Sequence, residues 1–257
     1  MGAVTSSDKR VIEITLPDSW EKLSQKQLYE AYRFLSSNLT AEAVMVHAFM
    51  RWGGFRVIGA DTLNLRFMIQ RKNEKPFLVS TVQVAEAMQC LKFLAEVPKS
   101  PVRLEKIGKF NAADARLRGL TLEDYIACDN SYQGYLSTKR DDLLERMAKI
   151  LYRAENIKLD PAQRLSVLYW WISVKDYLSR EYCNLFGEAE NDSNLLGDFR
   201  STEKKLKDNV NAQIRALTKG DVTKEEAVIN LDVHRAFAEL DAQAREYREM
   251  KAKYNLK

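Results

Sequence analysis

The chain has 257 residues, 46% hydrophobic and 30% charged, enough to bury a core without disulfides or metal. Forty basic against 36 acidic side chains leave a net charge of +4, short of what a dedicated DNA binder concentrates, and ten Gly with five Pro exclude collagen-like, linker-dominated and many-turned β-sandwich chains. Two His and three Cys leave little material for metal chemistry, and Cys90, Cys128 and Cys183, isolated in apolar helical contexts, read as reduced core thiols of a cytosolic protein.

The opening MGAVTSSDKR has no apolar signal core, and no run of about 18 apolar residues follows, so secretion and membrane spanning are not expected. Met1–Ser6 fits the short myristoylation formula, a match that chance supplies readily. Val11–Leu16 alternates and predicts a half-buried strand, broken by Pro17. Ser24 and Gln27 form a capping box for a helix to about Ser37, and Thr40 caps a second that Gly53-Gly54 ends. Phe55–Ile58, the alternating Leu63, Leu65, Phe67 and Ile69, and Phe77–Val79 predict antiparallel strands, and a helix over Val82–Glu96 closes on Pro98. Residues 10–98 therefore read as a small α+β unit with a few antiparallel strands, and 99–120 as a basic connection.

From residue 121 the pattern is helical. Thr121 starts a helix through Tyr125 and Leu136, another runs from Asp141 through Leu151, and Asp160, Pro161 and Gln163 start a third over Ala162–Phe186. Leu165–Val174 is apolar nearly all round, which predicts a central helix. Residues 121–186 form the helical core of this reading, and 187–201 an acidic linker. Residues 202–257 form a C-terminal helical pair: a basic helix Thr202–Leu217 stopped by Gly220, then a long helix from a Thr223/Glu226 capping box to Tyr254. The fold class is thus mainly α: an N-terminal α+β unit, a helical bundle and a long C-terminal helix.

That last helix carries a heptad seam: Ile229, Val233, Ala236, Leu240, Gln243, Tyr247, Met250 and Tyr254 alternate at spacings of four and three. All but Gln243 are candidate partner-binding residues. Phe237 widens the first half toward packing on the chain's own core, whereas Tyr247–Tyr254, amid charge, favours an external helix. Phe199–Lys219 holds six basic and two acidic residues without interleaved aromatics, so a solvated face is the plainer reading than a phosphate track. The tyrosines of 125–135 read as a core edge, and Gly134 inside a helix points to close helix packing. His47 and His234 lack a nucleophile context, and no phosphate loop, HExxH or paired-Cys motif occurs. No catalytic residue, cofactor or metal is called for, and an enzyme is not expected.

The segments YIACDNSYQGYL (125–136), LLERMAKILYR (143–153), SVLYWWISVKDYLSREYCNLF (166–186) and the 216–254 region, with LPDSWEKLSQKQLYEAYRFL near the start, resemble an uncharacterised family carried by phages and prophages of Bacteroides-type bacteria. Such proteins resemble members of tail-morphogenesis gene sets. The resemblance implies a non-enzymatic tail-assembly chaperone that binds a helical tail protein of tape-measure type in the bacterial host cytoplasm. The alternative it leaves is a structural virion component. Self-association through the seam, and a nucleic-acid-associated factor using 99–109 and the basic helix, are further readings, and no membrane partner is expected. On this reading removal of residues 221–257 abolishes partner binding and leaves 10–186 folded.

Overall fold

The structure, a computed structural model, describes residues 15–186 and 210–254. It is mainly helical, with one small antiparallel sheet near the N-terminus and a long C-terminal helix. Residues 11–14 of the expected opening strand, the acidic linker and residues 202–209 of the basic helix lie outside the described residues; Thr15 and Leu16 belong to no strand.

Helix α1 (Gln25–Leu35) starts on both halves of its capping box: Ser24 Oγ accepts the Gln27 N–H at 3.3 Å, and Gln27 Oε1 accepts the Ser24 N–H at 3.0 Å. Thr40 caps α2 (Ala41–Gly53), and Gly54 closes it in the left-handed region at φ 72°. The two helices share a buried charge. Glu30 accepts the Arg51 Nε–H at 2.9 Å on one oxygen and the Trp52 indole N–H at 3.1 Å on the other, so the carboxylate is not left unpaired.

Strands β1 (Phe55–Asp61), β2 (Arg66–Arg71) and β3 (Phe77–Ser80) follow as an antiparallel meander with a register shift between Val57 and Gly59. The alternation beginning at Leu63 is corrected here: Leu63 and Leu65 lie in the β1–β2 turn. Asp61 accepts the Asn64 backbone and amide N–H groups at 3.2 and 2.7 Å, and this local bonding wins over the strand pattern. The single helix expected over Val82–Glu96 is two pieces, α3 (Thr81–Ala87) and a 3₁₀ segment Met88–Ala95. In the tighter geometry residues three apart eclipse, which sends Leu91 and Leu94 into the core together.

The connection 99–120 is a strap, with a short hairpin of β4 (Lys106–Ile107) and β5 (Phe110–Asn111). Side chains of the bundle take carbonyls of the strap and of Pro98 just before it: Ser173 Oγ donates to Pro98 O at 2.7 Å, Arg180 to Lys99 O at 2.7 Å and Tyr152 Oη to Leu104 O at 2.8 Å.

The bundle begins with α4 (Leu122–Thr138), capped by Thr121, and α5 (Asp141–Leu151). A Cβ built on Gly134 would stand 3.2 Å from Leu143 Cδ1, so α4 and α5 approach as closely as the mid-helix glycine implied. Asp160 and Gln163 cap α6 (Pro161–Glu181) reciprocally. This helix is central: Ala162, Leu165 and Tyr169 pack with Trp20 and Tyr32 of the N-terminal cluster, while Val167, Trp170, Trp171, Val174 and Leu178 sit in the bundle cluster. Its apolar girth therefore serves two cores. Tyr182 breaks the expected helix, and α7 (Cys183–Phe186) follows. After the undescribed stretch come α8 (210–218), α9 (Glu225–Ile229) and α10 (Val233–Tyr254).

The continuous helix from Thr223 is corrected at two points. Asp221 takes the cap, accepting both the Thr223 N–H at 3.1 Å and its hydroxyl at 2.6 Å, which starts only a 3₁₀ turn, Val222–Lys224. The chain then leaves helical geometry between Ile229 and Val233. The Leu122 N–H donates to Leu231 O at 2.8 Å and the Val233 N–H to Leu120 O at 2.9 Å, pinning the break to the entry of α4.

Candidate partner-binding site

Helix α10 starts on Asp232. One carboxylate oxygen accepts the N–H groups of His234 (2.9 Å) and Arg235 (3.3 Å); the other accepts that of Gly119 at 2.7 Å. The next turns face inward. Val233, Ala236 and Phe237 are fully buried and Leu240 nearly so. Phe237 meets Tyr125 edge-on at a centroid distance of 4.9 Å, Phe186 at 5.5 Å and Tyr182 at 5.8 Å.

Polar contacts fix the helix in this seat. His234 Nε2 lies 2.6 Å from the Arg116 carbonyl, which can only accept, so Nε2 carries a proton there, and Nδ1 lies 2.8 Å from the Tyr182 hydroxyl. Burial, aided by Glu181, Tyr177, Asp232 and Asp241, pushes the Tyr182 phenol up to about 12. Asp241 clasps α7, accepting the backbone N–H groups of Asn184 and Leu185 at 2.7 and 2.9 Å and the Asn184 amide at 3.0 Å. Burial pushes the Asp241 carboxyl up, but these donors and nearby Arg245 more than offset it and hold the group below the ordinary carboxylate value.

The seam changes character after one turn more. Gln243 donates along its own helix to Glu239 at 2.9 Å, and Arg248 makes a last contact with Asn184 at 3.4 Å. Every residue from Arg245 to Tyr254 is exposed, a projection of about 15 Å. Tyr247, Met250 and Tyr254 are 66%, 54% and 63% exposed.

The seven candidate residues therefore divide. Val233, Ala236 and Leu240 are corrected from partner-binding to core residues: their stripe is covered by the chain's own α4 and α7, the outcome that Phe237 favoured. Half-buried Ile229 belongs to α9, beyond the break, and continues no seam. Of the seven, Tyr247, Met250 and Tyr254 share an exposed stripe that none of the described residues covers. A cut at residue 221 would accordingly remove Val228, Val233, Ala236, Phe237 and Leu240 from the core, so a truncation that spares the fold begins after Ala244.

Beside α10 lies a feature that sequence patterns missed, a cavity of about 490 Å³ reached by α4, α6, α7, α8 and α10. Its polar wall is the Asp129–Lys175 pair at 2.6 Å, with the Trp171 indole N–H 3.4 Å from the same carboxylate oxygen. Ile126, Leu185 and Phe186 supply the apolar wall. The two charges stand 46 residues apart, and each alone resembles a charged position on a helix face.

The other sequence candidates are dispersed. His47 is exposed and stacked on Phe34 at 5.7 Å. Only Cys128 is a buried thiol, pushed up by burial; Cys90 is half-buried and Cys183 exposed, which corrects the reading of three core cysteines. Among the described residues no three His, Cys, Asp or Glu side chains gather as a metal site would require, and no helix is long and apolar enough to cross a membrane. Comparison with models of known protein families, with curated proteins and with solved structures yields no match.

Proposed function

We propose that this chain is a non-enzymatic assembly factor whose distal α10 receives a helix of a partner protein. The partner is, following the resemblance of its sequence segments, a helical phage tail protein of tape-measure type. The observation that carries the reading is the seam itself. A helix anchored over its first half by Val233, Phe237 and Leu240 continues the same spacing through exposed Tyr247, Met250 and Tyr254, which none of the described residues covers. Three large side chains at helical spacing are what a helix-on-helix contact uses as anchors, and Arg245, Arg248, Lys251 and Lys253 against Glu246 and Glu249 give the flanks a basic bias. Such binding requires a rigid seat, which the Asp232 cap and the Asp241 clasp supply.

The test is affinity purification of the tagged full chain from cells expressing a phage genome of that type, with nuclease present. The full chain is expected to recover a long helical tail protein; a chain ending at Ala244 is expected to lose it while keeping its unfolding transition. Retained recovery by the shortened chain refutes the assignment to α10. Stoichiometric presence of the protein in purified particles would make it a permanent tail component instead.

A further inference from the structure

The sheet carries a second surface, independent of α10. In β2, residues 66, 68 and 70 share the face opposite Ile69, which is buried. Met68 pairs directly with Leu78 of β3 and with Gly59 of β1; Arg66 pairs with Ser80 and Asp61, and Gln70 with Arg56. The outer face is thus a grid in which an apolar row, Gly59–Met68–Leu78, crosses the strands between two rows that each carry an arginine. Met68 and Leu78 are exposed, as are Ile58 at the bulge, Val82 at the start of α3, and Leu63 (93%) and Leu65 at the hairpin tip. Residues 55–80 hold five basic and two acidic side chains, a net of +3; Asp61 accepts from Asn64 and stands opposite Arg66, and Glu74 faces Arg71 at 3.6 Å. Among the described residues Arg66, Lys72 and Lys75 form no ion pair shorter than 4.0 Å.

We infer that this face docks an apolar helix flanked by acidic side chains, supplied by another protein. The row spans two strand spacings, about 10 Å, which matches seven residues of helix rise. A segment laid across the strands obtains no ladder hydrogen bonds, so it must satisfy its own backbone, as a helix does. The rows of Arg56 and Arg66 select the flanking charge. A symmetric second copy would bring two surfaces of the same net +3 together, whereas acidic flanks complement that charge.

Anisotropy of labelled amphipathic peptides of about 18 residues, one Leu stripe flanked by Glu or by Lys, tests this on the full chain. The Glu peptide is expected to bind at least about tenfold more tightly than the Lys peptide, and more weakly as salt rises from about 0.05 to about 0.5 M. Met68→Asp and Leu78→Asp are each expected to weaken it about tenfold or more, and Arg66→Glu to shift preference toward the Lys peptide. All three positions are exposed, so each variant is expected to keep a cooperative unfolding transition, and Met68→Ser in the central strand serves as the polar control without charge. A chain ending at Ala244 should bind the Glu peptide like the full chain, which separates this surface from α10. Equal binding of the two peptides overturns the inference, as does Glu-peptide binding indifferent to Met68→Asp. A dimer that Met68→Asp dissociates, or flotation with phosphatidylserine vesicles that Leu63→Ser abolishes while neither peptide binds, also overturns it in favour of a second copy or a lipid surface.

Discussion

Replacing Phe237 by Ala separates a seam spent on the chain's own core from one left for a partner. Phe237 is fully buried, with Tyr125, Phe186 and Tyr182 arranged around its ring at 4.9 to 5.8 Å. Deleting a ring so enclosed removes its transfer free energy and leaves a cavity among three aromatics that cannot all close upon it, a cost of about 3–5 kcal/mol. At roughly 2–4 °C per kcal/mol for a chain near this length, Tm should fall by about 6–20 °C. Tyr247→Ala, ten residues along the same helix, removes an exposed side chain and should stay within about 0.5 kcal/mol of the parent. Equilibrium urea unfolding gives both values, provided the slope m is unchanged. A Phe237→Ala cost below about 1 kcal/mol, or a Tyr247→Ala cost equal to it, refutes the division of the seam.

Three further outcomes follow from the same structure. Asp232→Ala should cost about 1–2 kcal/mol, since the cap of α10 and the tie to Gly119 vanish together, while Asp232→Asn should keep most of the cap; equal losses in the two variants would count against capping. Gly134→Ala should stabilise by about 0.5 kcal/mol, because the helix propensity gained exceeds a shift of a few tenths of an ångström in the half-buried Leu143 side chain; a lowered urea midpoint would show that Leu143 cannot yield. Asp241 is held below its unfolded value of about 3.9, so its contribution is complete above that pH and is lost as pH falls through the folded value; Asp241→Asn should flatten the acid limb of a stability profile between about pH 5 and 2, and an unaltered limb would show that the clasp is not linked to folding.

Many elements whose signal lies within a few residues of themselves were legible, except where a local rival such as Asp61 or Asp221 took the same groups. Ser24 with Gln27, Asp160 with Gln163, Thr40, Thr121 and Gly54 all mark the ends they promised, and the all-round apolar α6 lies between two cores. Distant partners were not legible. The heptad spacing runs through 230–232 without interruption, yet the chain breaks there because Asp232 is held by Gly119, 113 positions away. Thr223 and Glu226 satisfy the capping formula, but the Thr223 hydroxyl is already donated to Asp221. Ser80 and Gln83 do form a capping box, hidden because Ser80 also ends a strand. A heptad seam states that a helix has an apolar face; whose side chains cover it is decided by folds of the chain that spacing does not encode. The Asp129–Lys175 pair went unread for the same reason, since it exists only after α4 and α6 meet, whereas the arginine-bracketed row on the sheet depends on a strand register that the bulge between Val57 and Gly59 sets.

The double use of α6 bears on the order in which the chain is made. Trp20 stacks on Tyr32, and the Tyr169 ring of α6 closes against both at 6.2 and 5.8 Å, so the first hundred residues lack one wall of their own aromatic cluster. Until α6 leaves the ribosome the N-terminal layer is an unfinished half of a core, and the helix that completes it is the same one on which the later helices assemble. The N-terminal cluster therefore needs α6, and the bundle cluster built on the same helix needs Val233, Phe237 and Leu240 of α10 as well, so the two cores are completed in succession around one helix.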